Sequence, residues 1–215
     1  MYGGSPLNRL SWLRPSHTFL NTIISQHTTR WLLFNGGKPL TIPESSKISK
    51  PAIALLTTED MRPLLGPEPY FGQGKERGEI SPESIESLGH SPLDAARHHG
   101  KPVVFLGVLE RGVASSPILQ DILKEPTLGV SKLGGTPYFA MEVSDLDLSD
   151  EDIDGFLKST DPGQRGLELT WADPRGLSLS LELEMAGIFA MARTMVDWNS
   201  KSKASSLRAQ RCMLA

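Results

Sequence analysis

The sequence predicts an α/β protein in the broad, α+β sense: a mixed β-sheet flanked by helices and ending in a long C-terminal connector helix. Three observations carry that expectation. Short apolar runs rich in β-branched and aromatic residues recur at 31–34, 51–56, 102–109 and 136–143, each bounded by breakers and too short for a helix. Between them stand acid-led starts such as Thr58-Glu59-Asp60 and Ser149-Asp150-Glu151-Asp152, which suit helix N-termini. Past Leu183, finally, the apolar positions Met185, Ile188, Ala192, Met195 and Trp198 keep a helical spacing.

Taken in order, residues 5–29 hold the apolar positions Leu7, Leu10, Trp12, Leu13, Phe19, Leu20, Ile23 and Ile24, and the first four predict one face of a short helix. Residues 31–34 predict a buried strand, closed by Asn35-Gly36-Gly37 and returned by 39–42 as a hairpin. Residues 51–56 are the next strand, and Thr58 starts a helix. Residues 66–92 are punctuated by Gly66, Pro67, Pro69, Gly72, Gly74, Gly78, Pro82, Gly89 and Pro92, which predicts a long loop with one helical turn at 82–88. Short helices are expected at 93–98 and 118–124, around the central strand 102–109. Strand 136–143 follows Gly134-Gly135, a helix opens at Ser149 and runs through Leu157, and 166–171 alternates like a half-buried strand. Asp173-Pro174 supplies a cap and a first-turn proline. The stretch from Leu177 to Met185 alternates like a strand, but the helix-forming residues beyond it favour one helix over 179–198. The expected organisation is a domain over 1–175, a connector helix over 176–199, and a polar, disordered tail over 200–215.

The totals exclude several classes. A length of 215 residues suffices for one domain with an ample core. A formal charge of −3 gives no electrostatic reason to expect nucleic acid or an anionic membrane. One cysteine, Cys212, excludes an internal disulfide framework and every zinc site needing two thiolates. No uninterrupted apolar run is long enough to span a bilayer, and Met1 to Pro6 lacks a secretory leader's pattern.

Candidate chemistry is thin. Gly72-Gln73-Gly74-Lys75-Glu76-Arg77-Gly78 lacks the Gly-Lys-Ser/Thr ending and the buried strand of a phosphate loop. His98 and His99 are adjacent, so their side chains diverge, and no partner stands at helical spacing. Asp145, Asp147, Asp150, Asp152 and Asp154 fail as a calcium loop, because Asp150 and Phe156 fall where a glycine and a glutamate are required. They fit a solvated helix N-terminus better. Cys212 sits in a polar tail without a base, and Trp12, Trp31, Phe105, Tyr138 and Trp171 read as core rather than as a base-stacking platform.

Four segments together resemble one family. Residues 4–14 (Gly4-Ser5-Pro6-Leu7-Asn8-Arg9-Leu10-Ser11-Trp12-Leu13-Arg14), 29–34 with Pro39-Leu40, 135–140 (Gly135-Thr136-Pro137-Tyr138-Phe139-Ala140) and 186–199 are similar in order and spacing to fungal, peroxisomal-type NADH pyrophosphatases. They resemble the N-terminal, Nudix-like domain of those enzymes and its exit helix. The resemblance implies that a four-cysteine zinc ribbon and a catalytic Nudix domain should follow, using magnesium or manganese. That domain's signature is G-x5-E-x7-R-E-U-x-E-E-x-G-U, whose clustered carboxylates hold the ions that activate water. This sequence has no Glu-Glu and no Arg-Glu pair, and Cys212 has no partner. No catalytic, cofactor-binding or metal residue is therefore assigned, and no cofactor is expected in this chain.

The expectation is a structural and dimerisation domain, truncated before the ribbon and inactive by itself. Its rivals are a hydrolase of NADH-type dinucleotides, giving NMN(H) and AMP, and a stand-alone interaction module. Either a homodimer or pairing with a full-length enzyme would use the apolar side of the Leu181–Trp198 helix. Neither nucleic acid nor a membrane is expected as partner, and the family implies peroxisome or cytosol.

Overall fold

The computed structural model describes residues 6–11, 13–14, 16–44, 50–65, 103–110, 134–146 and 148–213, without side chains at 17–18 and 202–213. Its strands are β1 (Arg30–Asn35), β2 (Lys38–Ile42), β3 (Ala52–Ile53), β4 (Val103–Leu109), β5 (Thr136–Glu142) and β6 (Thr170–Trp171). Its helices are α1 (His17–Ile24), α2 (Thr58–Leu65), α3 (Asp150–Ser159), α4 (Asp161–Gln164), α5 (Pro174–Ser180) and α6 (Leu183–Met213).

Trp31, Leu32, Leu33 and Phe34 are all buried, which a strand manages only when both its faces are covered. The strand period of two sends Trp31 and Leu33 into one core and Leu32 and Phe34 into another. β5 runs parallel to β1, with Arg30 opposite Tyr138 and Phe34 opposite Glu142. β4 pairs antiparallel with β5, and the order is β3-β2-β1-β5-β4, with β6 added against β2. The sheet is therefore mixed and the fold is α+β. Segment 52–56 bonds to both arms of the β1–β2 hairpin: Ala52 and Ile53 pair with Ile42 and Thr41, while Leu56 exchanges backbone bonds of 2.9 and 3.1 Å with Trp31.

The first core lies under α1, α2 and α3, through residues such as Phe19, Ile23, Met61, Leu64, Ile153 and Phe156. The second lies under α5 and α6, through Leu177, Ile188, Phe189, Ala192 and Val196. On each face an aromatic pair involves β1: Trp31 stacks on Phe139 at 5.0 Å, and Phe34 stacks on Phe189 at 6.1 Å.

Several expectations hold, and four local ones change. Strands appear at 31–34, 39–42, 102–109 and 136–143 to within about two residues of the expected bounds. Residues 7–13 are not a helix. Asn8 instead exchanges two 2.9 Å backbone bonds with Val108, and the helix is formed by the later apolar set, behind a Ser16 cap. Gly107 permits that approach, because a Cβ there would meet the Asn8 carbonyl at 2.6 Å and its φ is +147°. The 166–171 strand shortens to Thr170–Trp171, since Gly166 and Leu167 donate backward to Gly163 and Pro162.

The expected helix over 179–198 is broken. α5 starts after the Asp173 cap and ends at Leu181, whose extended ψ of 145° prevents continuation, and α6 begins at Leu183. The α6 backbone then passes the expected boundary near Asn199 and runs to Met213. The expected loop at 66–92 and the helices at 93–98 and 118–124 lie outside the described residues.

Candidate functional site

Ionisable groups drawn into the fold are the natural place to seek chemistry. Among the described residues, the buried polar side chains are Thr29, Thr41, Glu142 and Thr160. The three threonine hydroxyls donate to backbone carbonyls of Ile23, Thr170 and Leu157 at 2.8, 3.0 and 2.7 Å. Glu142 leaves β5 beneath the β1–β2 turn, and its hydrogen-bond partners among the described residues are all donors. Its Oε1 accepts from the Gly36 N–H at 2.8 Å and the Ser144 hydroxyl at 2.8 Å, and its Oε2 accepts from the Gly37 N–H at 3.1 Å. The turn needs two consecutive positive φ values, +57° and +73°, which Gly36 and Gly37 adopt without strain. Glu142 is thus a clamp on a hairpin.

The acidic stretch is likewise structural where it is described. Ser149 and Asp152 form a reciprocal capping box, the hydroxyl accepting from the Asp152 N–H at 3.1 Å and donating to its carboxylate at 2.7 Å. The Ser149 hydroxyl, then the Ser149 N–H, hold the Asp152 carboxyl below its ordinary value. Asp145 accepts from the Ser200 hydroxyl at 3.3 Å, and Asp147 lies outside the described residues. Among the described residues no group of three or more His, Cys, Asp or Glu side chains could hold a metal ion. The donor set there does not fit the divalent ions or the zinc that the resemblance implies.

Of the aromatics, Trp31, Phe105 and Tyr138 are buried, and Trp171 packs half-buried on the first core. The Trp31 indole N–H donates to the Thr58 hydroxyl at 3.1 Å, and Arg14 lies over the Phe105 ring at 5.6 Å. The three buried rings present no free stacking face. Trp12, the glycine-rich 72–78 stretch, His98, His99 and the Cys212 side chain fall outside the described residues. No helix among the described residues is long and apolar enough to cross a membrane.

What this arrangement belongs to is decided by comparison. The family model of the NADH pyrophosphatase-like rudimentary NUDIX domain matches residues 28–198. The chain belongs to that family. The match runs from β1 to the part of α6 that lies on the sheet, so the rudimentary NUDIX domain includes the helix's buried half. No curated protein matches the chain.

Sequence reasoning missed two anchors in this domain, Glu142 and Asp60. Asp60 accepts from Thr57 at 2.9 and 2.7 Å and from the Asp161 N–H at 2.7 Å, tying α2 to α4. The signal for Glu142 was present: a charge inside an apolar strand, in a protein whose nearest strands are joined by Gly-Gly.

Proposed function

We propose that this rudimentary NUDIX domain is the structural and pairing portion of an NADH pyrophosphatase-like hydrolase and turns over no dinucleotide by itself. The observation that carries the reading is the missing carboxylate cluster: nowhere does the sequence place two glutamates side by side or a glutamate after an arginine. Metal-assisted diphosphate hydrolysis needs such acids on one helix to hold the ions. The buried carboxylate that is described, Glu142, spends its oxygens on backbone and hydroxyl donors. The test is incubation of the purified chain with NADH and magnesium or manganese. The expected result is no NMN(H) or AMP, and turnover abolished by a chelator would overturn the proposal in favour of a hydrolase.

Pairing, as a homodimer or with a full-length enzyme, is favoured by one observation. The inward side of α6 is taken up by the sheet, yet Leu179 and Leu183 are each 91% exposed and Trp198 is 65% exposed. Pairing would use this outer apolar set rather than Ile188 or Ala192. Light scattering is expected to show a dimer that Leu183→Ser with Trp198→Ser dissociates; a monodisperse wild-type monomer would count against it.

A further inference from the structure

Asn35-Gly36 is the one Asn-Gly step in the sequence, and it forms the tip of the β1–β2 hairpin. An Asn-Gly step is chemically labile because glycine puts no side chain in the way of its own amide nitrogen. That nitrogen can attack the asparagine Cγ, forming an N–Cγ bond while the Cγ–Nδ2 bond breaks. The amide proton passes to solvent base, ammonia leaves, and water then opens the cyclic imide to an aspartyl or isoaspartyl residue. Steric room is present here: Gly36 is exposed, and a Cβ on it would meet nothing within 4 Å. Asn35 is only half-buried, and no described residue hydrogen-bonds its side-chain amide.

The attacking nitrogen is nevertheless occupied. The Gly36 N–H donates to the Glu142 carboxylate at 2.8 Å and to the Ser144 hydroxyl at 3.3 Å, with the Gly37 N–H held by the other carboxylate oxygen. Asn35 and Lys38 are in register across the turn, and Phe34 faces Pro39, so its backbone is fixed on both sides. We propose that Asn35 is a latent deamidation site, and that the buried carboxylate of Glu142 keeps it shut by holding the Gly36 nitrogen away from the Asn35 side chain. Opening it requires giving up a hydrogen bond to a charged acceptor. Conversion to isoaspartate would insert a methylene into the main chain at position 35 and set a new carboxylate near Glu142. The hairpin register would then be lost, so age alone could loosen this edge of the domain. This inference stands apart from the proposed function.

The full chain is aged at neutral pH and the peptide holding position 35 is followed by mass spectrometry and isoaspartyl detection. Native protein should deamidate at least about tenfold more slowly than the same chain in denaturant, the factor set by one charge-assisted hydrogen bond. Glu142→Ala should recover most of that difference. Leu157→Ala, a core change away from the turn that also lowers stability, should leave position 35 slow. Equal rates in native and denatured chains would overturn the proposal. So would equal acceleration by Leu157→Ala, which would assign protection to overall folding. A Glu142→Ala protein slower than wild type would also overturn it, showing that the carboxylate assists the attack by taking the Gly36 proton.

Discussion

The two faces of the sheet are covered by different kinds of chain. Among the described residues, the first carries three short helices from separate stretches, each fixed by polar bonds: Ser16 caps α1, Asp60 bridges the start of α2 to α4, and Ser149 with Asp152 caps α3. The second, among the described residues, is covered mainly by one apolar side of α6, helped by Leu7 and Leu177. Stability on the first face is therefore spread over several local devices, whereas on the second it is concentrated in one helix and held by packing. The contrast also explains why α6 looked like a connector. Its spacing announces an apolar side, but spacing alone does not say whether that side meets its own sheet or another molecule.

The largest effect is expected from Trp31→Ala, which removes the stack on Phe139 and the bond to Thr58 and should cost about 4–5 kcal/mol in chemical denaturation. Phe189→Ala comes next, at about 3 kcal/mol, because Phe189 is the aromatic with which α6 meets Phe34. If it cost no more than a surface change, the second face would not be a core, and the comparison would fail. Glu142→Ala should cost about 1–3 kcal/mol, as turn amides lose a charged acceptor, and should broaden the amide resonances of Gly36 and Gly37.

Ser149→Ala should cost about 1 kcal/mol, the usual loss for an N-cap hydroxyl. Its pH dependence has a definite sign. The Asp152 carboxyl is depressed in the native state, so its contribution is present above the ordinary aspartate value and is lost as pH falls through the native value. The gap between wild type and variant, read from unfolding midpoints across pH, should narrow over that acidic interval without closing, because the bond from the Asp152 N–H to the Ser149 hydroxyl does not titrate. The smallest effect belongs to Leu183→Ser, within about 0.5 kcal/mol for the monomer, because Leu183 touches neither core.

Much of this fold is legible in the sequence, for physical reasons that differ by element. β1, β4 and β5 announce themselves because strands buried on both faces must be continuous apolar runs. The helix at α3 is readable from Ser-Asp-Glu-Asp, since the capping box is a local bargain between a residue and its third neighbour. The failures are non-local. Leu7, Leu10 and Leu13 are buried as their spacing suggests, but the backbone between them is committed to a bridge with Val108, far along the chain. Leu179 and Leu183 continue the alternation begun by Leu177, yet the turn at Leu181 leaves both in solvent. Glu142 stands out as a charge inside an apolar strand, but what it anchors cannot be read from local spacing, because its partners include the amides of a distant turn. For the site, Asp152 and the described aromatics could be weighed correctly from sequence. Their neighbours already explained them as a helix start and as core.

The inward side of α6 is a layer of this domain and not a free arm. Hydrogen exchange of the amides from 188 to 196 tests it most directly, because exchange protection reports whether a helix opens alone or with the core. Protection comparable to that of Leu32 and Phe139 in the central strands is expected. Rapid exchange across 188–196, with the β1 and β5 amides still protected, would contradict it.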